Sequence, residues 1–200
     1  MERCILSLWI LLACTAKEID SGKDTSENDS AAVEEQEPAW TVVEEDFSGG
    51  ALMSIWGADD ALWVVGGQFD QGLVLRKIGE AFEEISVPEG TPLLNWVHGT
   101  SSQDLWVAGL SGTILHWDGT AWQDYSIDIA EAIWGIHQSG DSVYCVGGTS
   151  AWGGEYAKMF HLDGEQFTEI ALPSEYEGLT NLYKVGYWSE QFWAIGASGT

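Results

Sequence analysis

Leu62-Trp63-Val64-Val65-Gly66 and Leu105-Trp106-Val107-Ala108-Gly109 are two copies of one pattern, and Val143-Tyr144-Cys145-Val146-Gly147 and Phe192-Trp193-Ala194-Ile195-Gly196 are two more. The closing glycines recur at intervals of about 40 to 50 residues, the period of repeat proteins whose unit is one small antiparallel sheet. Around the second copy the unit reads as Leu94-Asn95-Trp96-Val97-His98-Gly99, a polar turn, residues 105–109, a Leu110-Ser111-Gly112 turn, Thr113-Ile114-Leu115-His116-Trp117, Asp118-Gly119, and Ala121-Trp122-Gln123-Asp124-Tyr125. Each piece is short, rich in β-branched and aromatic side chains, and bounded by Gly, Asp or Ser, so four strands per unit are predicted. The first and third units keep the order, with Leu73-Val74-Leu75-Arg76 and Phe82-Glu83-Glu84-Ile85 in one, and Lys158-Met159-Phe160-His161 and Phe167-Thr168-Glu169-Ile170 in the other.

Four-stranded units at this period stack either as blades around an axis or along a solenoid. Short, strongly twisted strands with glycine-rich turns favour blades, so the expected fold is an all-β β-propeller of four-stranded antiparallel blades over residues 39–200. These residues resemble the kelch and WD40-related propellers, and most of all the tryptophan-glycine repeats of secreted bacterial propeller proteins. Gly66-Gly67 and Gly147-Gly148, each followed by a later aromatic such as Phe82 or Phe167, resemble the kelch pattern, whereas Gly109 and Gly196 precede Leu110 and Ala197. About three and a half blades are present, and closed propellers take four to eight. The expectation is therefore an incomplete propeller, truncated or open, with Trp40-Thr41-Val42-Val43 matching the outer strand at Trp122.

Ahead of the repeats, Arg3 and an apolar run lead to Leu11-Leu12-Ala13-Cys14. The run is too short to span a bilayer and has the length of a signal-peptide core. It resembles a bacterial lipoprotein signal, which implies removal of residues 1–13, acylation of Cys14 and residence in the cell envelope. Thr15 after the cysteine resembles cargo sent to the outer membrane. Residues 14–38 contain almost no large apolar side chain and are expected to form a disordered acidic tether, with a reach of roughly 25 Å. Cys4 and Cys14 being otherwise committed, Cys145 is left alone in the repeats and reads as a buried structural thiol, at a position shared with Val64, Val107 and Ala194.

Thirty-two acidic residues stand against seven Lys and Arg, giving a formal charge of −25. Such a chain repels phosphate backbones, which excludes nucleic acid as a partner and leaves the N-terminal lipid as the only membrane contact. His116 and His161 share the third-strand position that Arg76 holds in the first unit, and His98 is matched to Trp56 and Trp134. Equivalent positions are expected a full blade apart, so the histidines do not read as a metal site. Asp118-Gly119-Thr120-Ala121-Trp122 resembles the structural Asp-box turn of sialidase-like propellers, but one mature arginine cannot build the sialidase carboxylate clamp. No phosphate loop or nucleophile motif is visible, and no catalytic residue is assigned.

Binding is the natural use of this fold. The loops between second and third strands and the links between blades share one face, and there residues 148–156 are unusually long. Trp152, Glu155 and Tyr156 on that loop, and Tyr176 in the link that follows, are the candidate ligand-binding residues. Clustered acids beside Tyr176 could take calcium, without EF-hand spacing; no other cofactor is implied. The expected role is a lipid-anchored binding or scaffold module for a protein or glycan. The alternative is a secreted propeller hydrolase or lyase acting on polysaccharide through paired carboxylates. A third reading, a propeller similar to photosystem II assembly factors, rests on architecture alone.

Overall fold

The computed structural model describes residues 11–14, 40–44, 48–151 and 153–197, which form two units, Met1–Ser48 and Gly49–Thr200. In the first unit, β1 (Leu11–Cys14) pairs antiparallel with β2 (Trp40–Glu44), Cys14 opposite Trp40 and Leu12 opposite Val42. The strand expected at Trp40 is present, but its partner is the Leu11–Cys14 segment rather than a third blade strand. Most of the expected tether lies outside the described residues.

Among its described residues the regular structure of the second unit is β, with a short 3-10 turn at Ser174–Tyr176. Blade 1 is β3 (Ala51–Ala58), β4 (Ala61–Gln68), β5 (Gln71–Ile78) and β6 (Ala81–Glu84) in sequential antiparallel order. Blade 2 is β7 (Leu94–Ser101), β8 (Asp104–Gly109), β9 (Ile114–Trp117) and β10 (Trp122–Asp124). Blade 3 is β11 (Ala132–Ser139), β12 (Ser142–Gly148), β13 (Lys158–Asp163) and β14 (Gln166–Glu169). A fourth sheet has two described strands, β15 (Leu182–Trp188) and β16 (Gln191–Gly196).

The repeated signature is the second strand of each sheet, and in β4, β8 and β12 its composition follows from burial on both faces, whereas in β16 Trp193 and Ile195 are exposed. Trp63, Val65 and Val74 pack on Leu94, Val97, Leu105 and Val107 of the next blade. Trp106, Ala108 and Ile114 meet Ile133, Ile136, Val143, Cys145 and Phe160 in the same way, and Val146 meets Leu182 and Val185. A strand sandwiched between two blades has no solvent face and therefore reads as a continuous apolar run, each full burial of a large side chain contributing roughly 1.5–3 kcal/mol. Outer strands β6, β10 and β14 alternate instead, with Phe82, Trp122 and Phe167 turned inward and acids or amides outward.

The closing glycine has a steric cause. Gly66, Gly109, Gly147 and Gly196 each pair with the inner strand where its register slips by one residue, at Leu52/Ser54, Leu94/Trp96, Ile133/Gly135 and Leu182/Lys184. The bulge pushes a backbone carbonyl, that of Ala51, Leu93, Ala132 or Asn181, into the space a Cβ would occupy.

The same bulge corrects the histidine alignment. In the observed register His98 faces Trp106, His137 faces Tyr144 and Trp56 faces Trp63, so His98 is equivalent to Trp56 and His137, not to Trp134. These equivalent rings are not a blade apart. His98 stacks on His137 with centroids 3.9 Å apart, and Trp56 lies 6.0 Å from His98, because the innermost strands converge toward the axis.

Candidate functional site

Blade 3 joins β12 to β13 through residues 149–157, whereas blades 1 and 2 use tight turns at the same place. The link to the fourth sheet, residues 170–181, carries the 3-10 turn Ser174–Tyr176. Backbone bonds tie the two segments together: Thr149 donates to the Thr180 carbonyl at 3.0 Å, Ala157 donates to Leu179 at 2.7 Å, and Gly148 bridges to Asn181. The turn is fixed by Tyr176 N–H donating to Pro173 at 2.9 Å and Leu179 N–H donating to Tyr176 at 3.0 Å.

Between them lies a groove of about 570 Å³ lined by Tyr156, Ala157, Lys158, Glu169, Leu172, Tyr176, Glu177, Gly178 and Leu179. Two expected binding residues, Tyr156 and Tyr176, thus meet across one groove, with 53% and 41% of their surfaces exposed. Glu155 is exposed beside the groove rather than in its wall, and its backbone N–H donates to the Glu131 carboxylate at 3.3 Å. Trp152 lies outside the described residues. Sequence reasoning missed Lys158 and Glu169, which form an ion pair of 2.9 Å along the wall. The hydrogen bond that Lys158 donates to Glu169 raises the lysine pKa, with the charge of Glu131 adding to it. The usable signal was the lone lysine opening a third strand in an acidic chain.

The other polar clusters hold the scaffold. Asp118 accepts the Ala121 and Thr120 backbone N–H groups at 2.8 and 2.9 Å and the Thr120 hydroxyl at 2.8 Å, so its carboxyl is held well below the usual range. This is the structural turn that the Asp-box resemblance implies. Asp104 bonds His116 Nε2 at 2.7 Å, and also Thr100 and the Gln138 amide; these bonds outweigh burial and lower its pKa. Trp106 stacks on His116 and donates to Gln138 Oε1 at 2.9 Å, which ties blade 2 to blade 3. Burial, with His137 beside it, holds the His98 pKa at about 4, and burial also lowers that of His137. Lys184 on β15 reaches past blade 3 to lie 3.5 Å from the Trp96 ring centre and donates to the Trp134 carbonyl at 3.1 Å, and burial lowers its pKa. Cys145 is fully buried, which pushes its thiol pKa well up. Among the described residues no group of three or more histidine, cysteine or carboxylate side chains is arranged to hold a metal ion.

No protein-family model matches the chain, and no curated protein matches it. Among solved structures it is similar to YCF48 bound to a D1 peptide, at 13% identity and a TM-score of 0.56, over 81% of this chain and 51% of that one. It is also similar to the computationally designed Ika4 protein, at 11% identity and a TM-score of 0.54, over 78% of this chain and 91% of that one. The chain therefore spans about half the length of the YCF48 chain it matches. At these identities the likeness concerns the fold, which is an all-β propeller with three four-stranded blades and two strands of a fourth among the described residues.

Proposed function

We propose that this chain is a binding module that captures a segment of a partner protein on the loop face of its propeller. The observation that carries the reading is the groove in which Tyr156 and Tyr176, from separate loops, are held open and exposed by backbone bonds. Exposed tyrosines on a rigid frame give large contact area at small entropic cost. YCF48, of similar fold, has been solved with a peptide bound, which supports a protein over a glycan as ligand. The deciding experiment pans a displayed library of random short peptides against the purified chain. Capture should be lost on replacing both Tyr156 and Tyr176 with alanine while the melting temperature is kept; capture that survives the double substitution refutes the groove.

The Leu11-Leu12-Ala13-Cys14 box supports a further part of the proposal, that acylated Cys14 holds the module in a bacterial cell envelope, at the outer membrane. The expressed protein should partition into detergent and Cys14→Ser should not; an unmodified Cys14 in the mature protein rejects the anchor. One observation favours the hydrolase alternative, since Glu169 and Glu177 line the same groove. Glu169 is committed to Lys158, and release of reducing sugar from polysaccharide that stops on Glu177→Gln would be needed to prefer that reading.

A further inference from the structure

We infer that the ligand of this face is basic: an extended segment of a partner protein that presents a lysine or arginine side chain to the groove between Tyr156 and Tyr176. The inference rests on the protein-binding reading above and names the chemistry of its ligand. Its ground is the distribution of charge over the loop ends of the blades. The outer strands of blades 1, 2 and 3 all end at this face on an acid in one equivalent position, Glu84, Asp124 and Glu169, each one opposite the matching third-strand residue, Leu75, Leu115 or Phe160. The links add Glu89 after blade 1, Asp128 and Glu131 after blade 2, and Glu175 and Glu177 after blade 3.

Among the described residues the cations lie elsewhere or are already paired. Arg76 bonds Glu83 and lies over Trp63, Lys77 donates to the Gly79 carbonyl at the opposite turn, and Lys184 is held against Trp96. Lys158 alone reaches this face, and Glu169 neutralises it at 2.9 Å. The groove therefore combines tyrosine rings and apolar walls at Leu172 and Leu179 with a net negative rim. That combination suits a long aliphatic stem ending in a cation, which rings attract and carboxylates orient. A second, smaller groove of about 300 Å³ sits at the equivalent end of blade 1, walled by Asp70, Glu84, Pro88 and Glu89, so a basic segment crossing the face meets a second acidic contact. Complementary charge of this extent also raises the rate of encounter and makes it salt-dependent.

The test carries the displayed library further. The tightest selected peptide is labelled with fluorescein and compared, on the full chain, with its counterpart in which each Lys or Arg is glutamine. The expected result is that selected peptides share a Lys or Arg, that the glutamine counterpart and the Glu177→Gln protein each bind roughly tenfold more weakly, and that binding falls by a similar factor as salt is raised. Peptides that depend on Tyr156 and Tyr176 but lack a basic residue and ignore salt would overturn the basic ligand and leave the groove standing. Failure to select any peptide, or selection of peptides indifferent to both tyrosines, would remove the groove reading and this inference with it. The peptide substitution does not touch the protein's folding, so a Glu177→Gln chain that failed to fold would still leave the inference decided.

Discussion

Blades 2 and 3 share the bulge opposite a closing glycine and an aromatic at the same outer-strand position, Trp122 or Phe167; blade 2 adds an irregularity at Gly99/Ser101, and the two differ most at the loop end. In blade 2 the Leu110-Ser111-Gly112 turn is sealed: Leu110 is buried, Gly112 donates to the Glu131 carbonyl at 2.8 Å, and Ile127 donates back to Gly112 at 2.9 Å. Ile127 and Ile129 of the link then fold into the core between blades 2 and 3. In blade 3 the longer loop and link are joined at their bases, and the space between becomes the groove. The repeat fixes where the backbone goes, and the length and composition of two connections decide whether a site exists there.

The comparison can be broken most forcefully at the shared interface. Trp106 is 3% exposed, stacked and hydrogen-bonded to Gln138, so Trp106→Ala should cost about 3–5 kcal/mol in denaturant unfolding. Its equivalent in blade 3, Tyr144, is half-buried, and Tyr144→Ala should cost clearly less. Equal losses would mean that the two blades are not packed as differently as their exposure indicates.

Next in size are the two loop ends. Gly112 sits at φ +67° with the Ile127 carbonyl where a Cβ would go, so Gly112→Ala should destabilise by about 2–3 kcal/mol. Gly178, at φ +88° on the groove rim, has open space around it, and Gly178→Ala should cost about 1 kcal/mol. A reversed order would remove the distinction between a sealed and an open end.

Acid should act on the stability of the blade interface. The His98 pKa lies at about 4 in the fold against 6.5 for the free side chain, so the fold favours the neutral ring. That stability is whole above pH 6.5 and is lost as pH falls from 6.5 toward about 4, by an amount on the order of 2 kcal/mol. Protonation would also charge the Nδ1 that accepts the Gln138 backbone N–H and would oppose a stacked His137, itself held neutral. His98→Phe should flatten the stability profile over this interval; an unchanged slope would reject the stack as its source.

The smallest expected effect on stability is at the groove. Tyr156→Ala with Tyr176→Ala should move unfolding by about 0.5 kcal/mol, since both residues lie at the surface and outside the packed core, while peptide capture disappears. A large loss of stability with capture retained would make the tyrosines part of the blade rather than of a site.

Much of the architecture is written in local chemistry. A strand covered on both faces must be apolar throughout, a bulge carbonyl excludes every side chain at Gly66, Gly109, Gly147 and Gly196, and a carboxylate that gathers its own turn's N–H groups can stand only where Asp118 does. These demands fall within a few residues of one another and so leave a mark on the sequence. What depends on register or on distant segments leaves none. The one-residue slip at each inner strand moved His98 from Trp134 onto His137 and could not be counted from composition. Lys184 meets Trp96 only because β15 packs beside β11 and the long side chain reaches past blade 3. Tyr156 and Tyr176 share a groove only because Thr149 and Ala157 bond Thr180 and Leu179 across the mouth of blade 3, and a backbone hydrogen bond, being open to any residue but proline, selects no residue that a reader of the sequence could recognise.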